Sequence, residues 1–454
     1  MKIKSLYTYF LLPVLAFFGL PLAAQTDVSN QLNILLIVSD DQGVVASPEY
    51  HYDPNPPFTP TLSALAQQGV IFENAWATPM CFTTRAALLT GKHGVHNGVV
   101  TEGISIRLED QTMYEFLRDN EASSNYASAF IGKWHVGMDE VDGESYPIAQ
   151  GVQYYAGIIE GNFGQGDYDS WNLTLDSPDM ETTSVTSTEY NTSKLTRLAE
   201  DWIEQQDSPW FVTLAYNAPH GPFHWPDESL HGMQERTENH LTNEICSAGR
   251  ANISSEDLEA CYNAMVEAMD TEVGNLLAKL EDWGQLDNTL IIFSGDNGSS
   301  EATVIADGQA KSTLYAGGLH IPLFASGAGV TRQGVREDRL VTITDIYATV
   351  GEMAGVDFDG TIHDSMSFAG YFSSEEGIER PYAFSDLDRT HPRTGEVTSG
   401  WSVRNQTHML MRLGGEDYLF EINPYNFMYQ NVTAQEPEIL AELQHAGERI
   451  IRGE

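Results

Sequence analysis

Residues 32–42 read LNILLIVSDDQ, an apolar run rich in branched side chains that ends in Asp40 and Asp41. Such a run is typical of a strand that is buried on both faces of a parallel sheet and becomes polar where it enters a loop. The same transition occurs in SNYASAFIGKWHVG, PWFVTLAYNAPHGPFH and NTLIIFSGDNGS, and helical patterns lie between these stretches. The alternation predicts an α/β fold with a mostly parallel central sheet that carries helices on both faces.

The pattern changes after about residue 355. The stretch GWSVRNQTHMLMRLGGEDYLFEI predicts antiparallel strands joined by a Gly-Gly turn, and residues 433–452 are helical in pattern. We therefore expect a main domain over 30–355 and a small C-terminal α+β subdomain over 356–454. The polar stretches 160–193 and 222–256 are interpreted as surface insertions over one edge of the sheet.

The first 24 residues have the pattern of a secretory signal: two lysines, a broken apolar run, and then small residues before Gln25. Residues 1–24 are thus predicted to be a cleaved signal peptide, the alternative being an uncleaved N-terminal anchor. We expect a periplasmic or secreted protein without an integral membrane segment.

The chain is strongly acidic, with 65 aspartates and glutamates against 23 lysines and arginines, which gives a formal net charge of −42. This charge excludes nucleic acid as a partner and disfavours docking on anionic membranes. A saline habitat is a reasonable hypothesis, because salt screens the self-repulsion of so many like charges.

The chain has three cysteines, at positions 81, 246 and 261. In an exported protein, Cys246 and Cys261 would most simply form a local disulfide. Cys81 is then left over. It is either a buried structural thiol or the centre of a reaction.

Polar side chains at the strand ends carry the chemistry, because ligands bind beyond the carboxyl ends of the strands in an open α/β sheet. This edge is predicted to hold Asp40, Asp41, Lys133, His135, His220, Asp296 and Asn297. Carboxylate and amide oxygens suit Ca²⁺ or Mg²⁺ better than zinc. Paired aspartates alone are often only turn residues, but two acidic loops from distant strands favour a metal site.

Cations accompany these acids. Arg85 lies one helical turn after Cys81, and a helix beginning here would direct free N–H groups towards an anion near the cysteine. Lys133 in GKWHVG and Lys311 in KSTLYAGG are candidate anion ligands, the alternative being simple compensation of surface charge. Together these features predict a site for a tetrahedral oxyanion ester.

At this point the sequence resembles the formylglycine-dependent sulfatases of the alkaline-phosphatase-like superfamily. The motifs that carry the resemblance appear in the family's order: NILLIVSDDQG, TPTLSALAQQGVIFENAWATPMCFTTRAALLTGKHGVHNGV, IGKWHVG, NAPHGPFH, FSGDNGS, KSTLYAGGLHIPL and DYLFEINPYNFMYQNV. The resemblance implies that a formylglycine-generating enzyme oxidises Cys81 to formylglycine, whose hydrated aldehyde is the nucleophile.

The resemblance also implies roles for the other site residues. Ca²⁺ would be held by an oxygen of modified Cys81 together with Asp40, Asp41, Asp296 and Asn297. One hydroxyl of the hydrate would attack sulfur to give a covalent sulfo-enzyme. The leaving alcohol would be protonated by His220 with help from Lys311. His135 would then take a proton from the second hydroxyl, so that sulfate is expelled, while Arg85 and Lys133 hold the hydrate and the sulfate oxygens.

Two positions depart from the family pattern. Thr83 stands where the family has Pro or sometimes Ala, and Ala316 stands where a Glu is usual. Three functions therefore stay open: an exported sulfatase acting on a sulfated carbohydrate or aryl ester, a phosphodiesterase or phosphonate monoester hydrolase on the same fold, or an unconverted, inactive member that binds sulfated glycans.

Overall fold

The computed structural model describes residues 31–454 except 54, 138–142, 249–251, 301–309, 389–398 and 423–429. The predicted signal peptide, residues 1–24, lies outside the described residues. In the part of the chain that is described, no helix combines the length and the apolar character needed to cross a bilayer.

Within the described residues, ten strands form one central sheet in the order β10-β2-β9-β8-β1-β7-β3-β4-β5-β6. These strands are β1 Asn33–Ser39, β2 Val70–Trp76, β3 Ala127–Lys133, β4 Tyr154–Ile158, β5 Trp171–Ser177, β6 Met180–Ser187, β7 Trp210–Ala215, β8 Thr289–Gly295, β9 Leu323–Gly327 and β10 Val335–Thr342. The middle of the sheet, from β8 through β1, β7 and β3 to β4, is parallel, whereas β5, β6 and β9 pair antiparallel with their neighbours. The mostly parallel sheet predicted from the sequence is confirmed.

The described helices pack around this sheet and around a smaller C-terminal sheet. They are α1 Pro60–Gln67, α2 Cys81–Thr90, α3 Gly94–Asn97, α4 Met113–Asp119, α5 Tyr146–Ala149, α6 Asn191–Ile203, α7 Asn243–Cys246, α8 Ser255–Asp282, α9 Ala316–Leu319, α10 Asp345–Met353 and α11 Pro437–Arg452. The helix predicted to begin at Cys81 is present as α2.

The C-terminal part contains a short ribbon, an antiparallel sheet and the terminal helix α11. Its strands are β11 Thr361–Ile362, β12 Ser365–Met366, β13 Ala383–Leu387, β14 Gly400–Arg404, β15 His408–Leu413, β16 Glu416–Glu421 and β17 Gln430–Asn431. Trp401 and Val403 of the sheet pack with Leu443 of α11 in a small apolar cluster. The predicted antiparallel sheet and helix are confirmed, while the domain boundary near residue 355 stays a prediction.

The interpretation of 160–193 as a surface insertion is wrong in part, because β5 and β6 extend the central sheet through this stretch. Strand β6 is exposed along most of its length and contains five threonines and serines among its eight residues, so its sequence shows no apolar stripe. Edge strands of this kind are stabilised by pairing with a neighbour rather than by burial.

Candidate functional site

The predicted site residues meet at the carboxyl edge of the parallel strands. All seven residues of β1 are buried, and its last residue, Ser39, pairs with Gly295 at the end of β8. Asp40 and Asp296 therefore leave adjacent strands at the same level, and Asp296 N donates to Ser39 O at 2.9 Å. The sheet register thus brings together two acidic loops that are far apart in sequence.

The acidic cluster consists of Asp40, Asp41, Asp296 and Asn297, all buried. Asp40 Oδ1 and Asn297 Oδ1 are buried without a hydrogen-bond partner among the described residues, which is costly unless a cation binds there. Potential ligand atoms of Asp40, Cys81 and Asp296 lie within 4.8 Å of one another. The carboxylate and amide oxygens of this cluster fit a divalent cation such as Ca²⁺ or Mg²⁺.

The electrostatics of the cluster favour the same conclusion. Burial raises the pKa of Asp40, and burial together with the charge of Asp40 raises the pKa of Asp296 to about 6. Burial also acts on Asp41, but the charge of Lys311 outweighs it and lowers the pKa of that carboxyl. Crowded buried carboxylates of this kind are stabilised in the charged form by a bound cation.

Three cations contact the carboxylates. Arg85 donates from Nε and Nη2 to Asp296 Oδ2 at 3.2 and 3.0 Å, and from Nη1 to Lys133 O at 2.5 Å. Lys133 Nζ is paired with Asp40 Oδ2, and Lys311 Nζ with Asp41 Oδ1. The side chains of Arg85 and Lys133 are 3% and 0% exposed, so these two cations lie behind the acids, whereas Lys311 lines the open cavity.

Cys81 is the first residue of α2 and a buried free thiol. Burial acts to raise the pKa of this thiol, but the charges of Lys133 and Lys311 outweigh it and the pKa is lowered. Lys311 Nζ lies 3.6 Å from Cys81 Sγ. The helix N-terminus and the lysine together make this position favourable for negative charge.

The two predicted histidines line the same cavity as Cys81. His220 Nδ1 donates to Gly221 O at 2.6 Å, and its Nε2 lies 3.8 Å from Asp41 Oδ2. Burial, assisted by the charge of Lys133, lowers the pKa of His220 to about 4, and the same causes lower the pKa of His135 well below its usual value. In the chain without substrate, both imidazoles are therefore neutral at pH 7.

The backbone around the site is locally strained. Asp41, His135 and Ser312 have φ angles of 63°, 58° and 75°, in the left-handed region that side-chain-bearing residues rarely adopt. The loop that carries Lys311 is fixed by two backbone hydrogen bonds, from Lys311 N to Ser299 O at 3.0 Å and from Ser312 N to Pro79 O at 2.8 Å. Such strain commonly marks functional positions.

The two departures from the family pattern lie close to the site. The hydroxyl of Thr83 donates to Met80 O at 2.9 Å and contacts the hydroxyl of Thr78. Ala316 is the first residue of the short helix α9, a few residues after Lys311.

Sequence reasoning missed several residues of the cavity. Its volume is about 400 Å³, and besides the predicted residues it is lined by Met80, Phe82, Glu102, Gly103, Ile104, Gly137, Glu160, Gly161 and Asn162. Glu160 could have been found, because the apolar run YYAGII ends in this glutamate just as LNILLIVS ends in Asp40. Glu102 lies in a polar loop without a comparable signal.

Comparison with known proteins agrees with this geometry. The family model described as Sulfatase matches residues 32–356, and the chain belongs to this family. Arylsulfatase J of Mus musculus is 26% identical over 410 residues, which is 84% of this chain and 63% of that protein. The chain spans 62–63% of the length of the first curated relatives that it matches.

Solved structures establish the fold. The structure of Ps i-CgsB in complex with k-i-k-neocarrahexaose has a TM-score of 0.72 at 22% identity, with 93% of each chain covered. The phosphonate monoester hydrolase of Agrobacterium radiobacter has a TM-score of 0.66 at 19% identity, with 93% of this chain and 95% of that one covered. The fold of this chain is thus shared with a phosphonate monoester hydrolase.

Proposed function

We propose that this chain is a sulfuric ester hydrolase that acts on sulfated carbohydrates or aryl sulfates through a modified Cys81. One observation carries the proposal: Cys81 opens into a cavity together with Lys311, His135 and His220, and the buried acids Asp40 and Asp296 lie within ligand distance behind it. Nucleophile, proton carriers and a cation site therefore surround one space in which a tetrahedral ester fits.

The proposed nucleophile is the hydrate of formylglycine, formed from Cys81 by a separate formylglycine-generating enzyme. One hydroxyl attacks sulfur as the bond to the alcohol breaks, which leaves sulfate covalently attached to residue 81. Loss of a proton from the second hydroxyl then expels sulfate and restores the aldehyde. Burial and the charge of Lys133 lower the pKa of His135 and keep its imidazole neutral, and only the neutral ring can accept that proton.

His220 is the proposed acid for the leaving alcohol. Its Nδ1 hydrogen is held by Gly221 O, so the proton for the alcohol must be carried on Nε2, on the side that faces Asp41. The negative charge of a bound sulfate ester and that of Asp41 both favour the protonated imidazole. Lys311, which lines the cavity beside Cys81, is placed to assist at the same oxygen.

The metal ligands in this proposal are Asp40, Asp41, Asp296 and Asn297 together with an oxygen of modified Cys81. When bound, Ca²⁺, or Mg²⁺ in its place, supplies positive charge that stabilises the sulfate oxygens and the ionised nucleophile. Arg85 and Lys133 hold the carboxylates Asp296 and Asp40 in place from behind, and their charge adds to the field on the hydrate and the sulfate.

Carbohydrate is the favoured alcohol component, since the neighbouring structure of Ps i-CgsB holds a neocarrahexaose. An exported enzyme, periplasmic or secreted, is supported by the signal-like segment 1–24 and by the bond between Cys246 and Cys261, because disulfides persist in oxidising compartments.

Phosphonate monoester or phosphodiester hydrolysis is the second candidate, favoured by the structural likeness to the hydrolase of Agrobacterium radiobacter. An unconverted chain that only binds sulfated glycans is the third. Rates on matched sulfate monoesters, phosphate diesters and phosphonate monoesters separate the first two. We expect the sulfate ester to react fastest, and a faster phosphonate would overturn the proposal.

Mass spectrometry of the peptide that contains Cys81, from protein made in its native host, tests the nucleophile. The expected result is the mass of the aldehyde or its hydrate at residue 81, and the variant Cys81→Ala should lack activity while keeping its thermal stability. An unmodified thiol in active protein would contradict the formylglycine mechanism.

A further inference from the structure

The rim of the cavity above Cys81 is acidic. Glu102 and Glu160 are exposed and line the opening together with Ile104 and Asn162. Among the described residues that line this cavity, Lys311 is the one lysine or arginine, and it lies deep beside Cys81. The inner end of the cavity therefore attracts an anion, while its outer end repels one.

Glu160 is held close to the reacting groups by its neighbours in sequence. His135 N donates to Ile159 O at 2.9 Å, which fixes the backbone that leads into Glu160. On the other side, a Cβ at Gly161 would lie 2.3 Å from His135 Nε2, so this loop packs directly on the imidazole. Glu160 is thus anchored between two residues that contact His135.

Glu102 approaches from a different loop. It lies between α3 and α4, two residues before Ile104, whose side chain is 40% exposed. Within the described part of the chain, neither Glu102 nor Glu160 forms an ion pair with a lysine or arginine. Both charges are therefore available to act on whatever occupies the outer cavity.

The two ends of a sulfate ester experience these charges differently. The reacting sulfate lies against Lys311 and the proposed cation site, so its own charge is compensated. The alcohol component must extend towards the rim, where a second sulfate or a carboxylate would face both glutamates. Sugar hydroxyls, in contrast, can donate hydrogen bonds to carboxylate oxygens, and Ile104 offers apolar surface to a ring face.

We propose that Glu102 and Glu160 restrict this site to sulfate esters whose sugar carries no second anionic group, that is, to monosulfated neutral sugars. The proposal rests on the sulfatase function proposed above and names the substrate class of the same site. It assigns specificity to two residues that take no part in the chemical steps.

Kinetics on paired substrates test this selection. We compare a monosulfated neutral sugar with a disulfated sugar and with a sulfated uronic acid that share its reacting position. At low ionic strength, the wild-type protein should favour the neutral sugar by about tenfold or more in kcat/KM. In Glu102→Gln/Glu160→Gln this ratio should fall about tenfold, mainly through a lower KM for the doubly charged substrates, because repulsion acts on bound substrate and transition state alike.

Two controls separate charge from shape. Glu352→Gln, at an exposed position of α10 that does not line the cavity, should leave the ratio unchanged. The wild-type preference should also narrow at about 1 M salt, where the Debye length is about 3 Å. A preference that is insensitive to salt and to the double variant would show steric selection and overturn the proposal.

Failure of this inference is distinguishable from failure of the proposed function. Hydrolysis of 4-nitrophenyl sulfate, which lacks a second charge, reports the sulfatase function alone. Calorimetric binding of the same sugars to Cys81→Ser, with and without Glu102→Gln/Glu160→Gln, reports charge selection without turnover. Tight binding of the disulfated sugar to Cys81→Ser with both glutamates intact would refute the selection whether or not any ester is hydrolysed.

Discussion

Lys311 Nζ lies 3.6 Å from Cys81 Sγ and also donates to Asp41, so one ammonium joins the proposed nucleophile position to the proposed metal site. Because Lys311 is held by a loop that bonds to Ser299 O and Pro79 O, its charge is positioned before substrate binds. Preorganised charge of this kind contributes to catalysis without a reorganisation cost.

Replacing Lys311 by Met should lower kcat about 100- to 1000-fold, the usual effect of removing one positioned donor. The thermal midpoint should fall as well, because Met keeps the apolar part of the side chain but leaves the buried Asp41 carboxylate without its ion-pair partner. Steady-state rates on a sulfate monoester, with mass spectrometry to verify residue 81, make the measurement. A variant whose rate stays within about threefold of the wild-type rate would contradict a role for Lys311 in the mechanism.

Removal of divalent cations should abolish activity and lower the thermal midpoint, since unpartnered buried oxygens on Asp40 and Asn297 are left unsatisfied. Ca²⁺ at about 100 times its Kd should restore about 2.7 kcal/mol of stability. Asn297→Ala should weaken this response, while the exposed Asn172→Ala should not. Calorimetric titration of Ca²⁺ and Mg²⁺ into protein freed of divalent cations measures the binding of each ion. Absence of binding for both ions would contradict an oxygen-lined cation site.

The disulfide between Cys246 and Cys261 closes a segment of 15 residues and ties α7 to α8. Replacing both cysteines by Ala should lower the free energy of unfolding by about 3 kcal/mol, chiefly because the unfolded chain gains freedom. Urea unfolding under oxidising and reducing conditions makes the comparison. Reduction should destabilise the wild-type protein but leave the double variant unaffected, and equal behaviour of the two would argue against a stabilising bond.

Thr83 satisfies hydrogen bonds inside the first turn of α2, with Met80 O and the hydroxyl of Thr78. We expect Thr83→Ala to cost about 1 kcal/mol of stability, the typical net value of such a bond. If the role of Thr83 is local structure, the fraction of residue 81 converted to aldehyde should stay the same or rise. Mass spectrometry and thermal unfolding give both quantities, and loss of conversion in Thr83→Ala would instead assign Thr83 to recognition by the maturation enzyme.

Asp386 of β13 provides a pH dependence away from the site. Burial raises the pKa of its carboxyl to about 6, although the N–H groups of Val95 and Gly94 act to lower it. A Cβ at Gly94 would lie 2.8 Å from Asp386 Oδ1, so the glycine permits this close approach. The folded-state pKa lies above the unfolded value of about 3.9, so the protonated carboxyl favours the folded state.

This contribution to stability is present below about pH 4 and is lost as the pH rises through about 6. Asp386→Asn, which does not titrate, should therefore show a smaller fall in the free energy of unfolding between about pH 4 and pH 8, by about 2 kcal/mol. Denaturant unfolding at several pH values measures it. Parallel curves for the variant and the wild-type protein would show that Asp386 is not the titrating group.

The sequence predicted the fold and the inner part of the site because both depend on local pattern. Each apolar strand becomes polar at its carboxyl end, and parallel pairing then brings Asp40 and Asp296 together without further information. The start of α2 at Cys81 was predictable for a similar reason, since a helix pattern follows the cysteine directly.

The outer part of the site was not predictable, because it depends on where loops lie. Nothing in the sequence near Glu102 indicates that its loop reaches the same cavity as Glu160. The depth of the cations was not predictable either: Lys133 and Arg85 were expected to contact the anion, yet they lie behind Asp40 and Asp296 and are paired with those carboxylates. Burial of a lysine is decided by tertiary packing, and the residues next to it in sequence carry no pattern that predicts it.

The left-handed backbone of Asp41 and His135 bears on attempts to engineer this protein. The left-handed conformation costs a residue with a side chain about 1 kcal/mol or more of stability, and glycine at the same position avoids this cost. At His135, which forms no ion pair with the described residues, a library selected only for heat resistance should therefore enrich glycine and return more stable clones that have lost the reaction, whereas at Asp41 the lost pairing with Lys311 outweighs this gain. Selection for turnover should be applied in the same round.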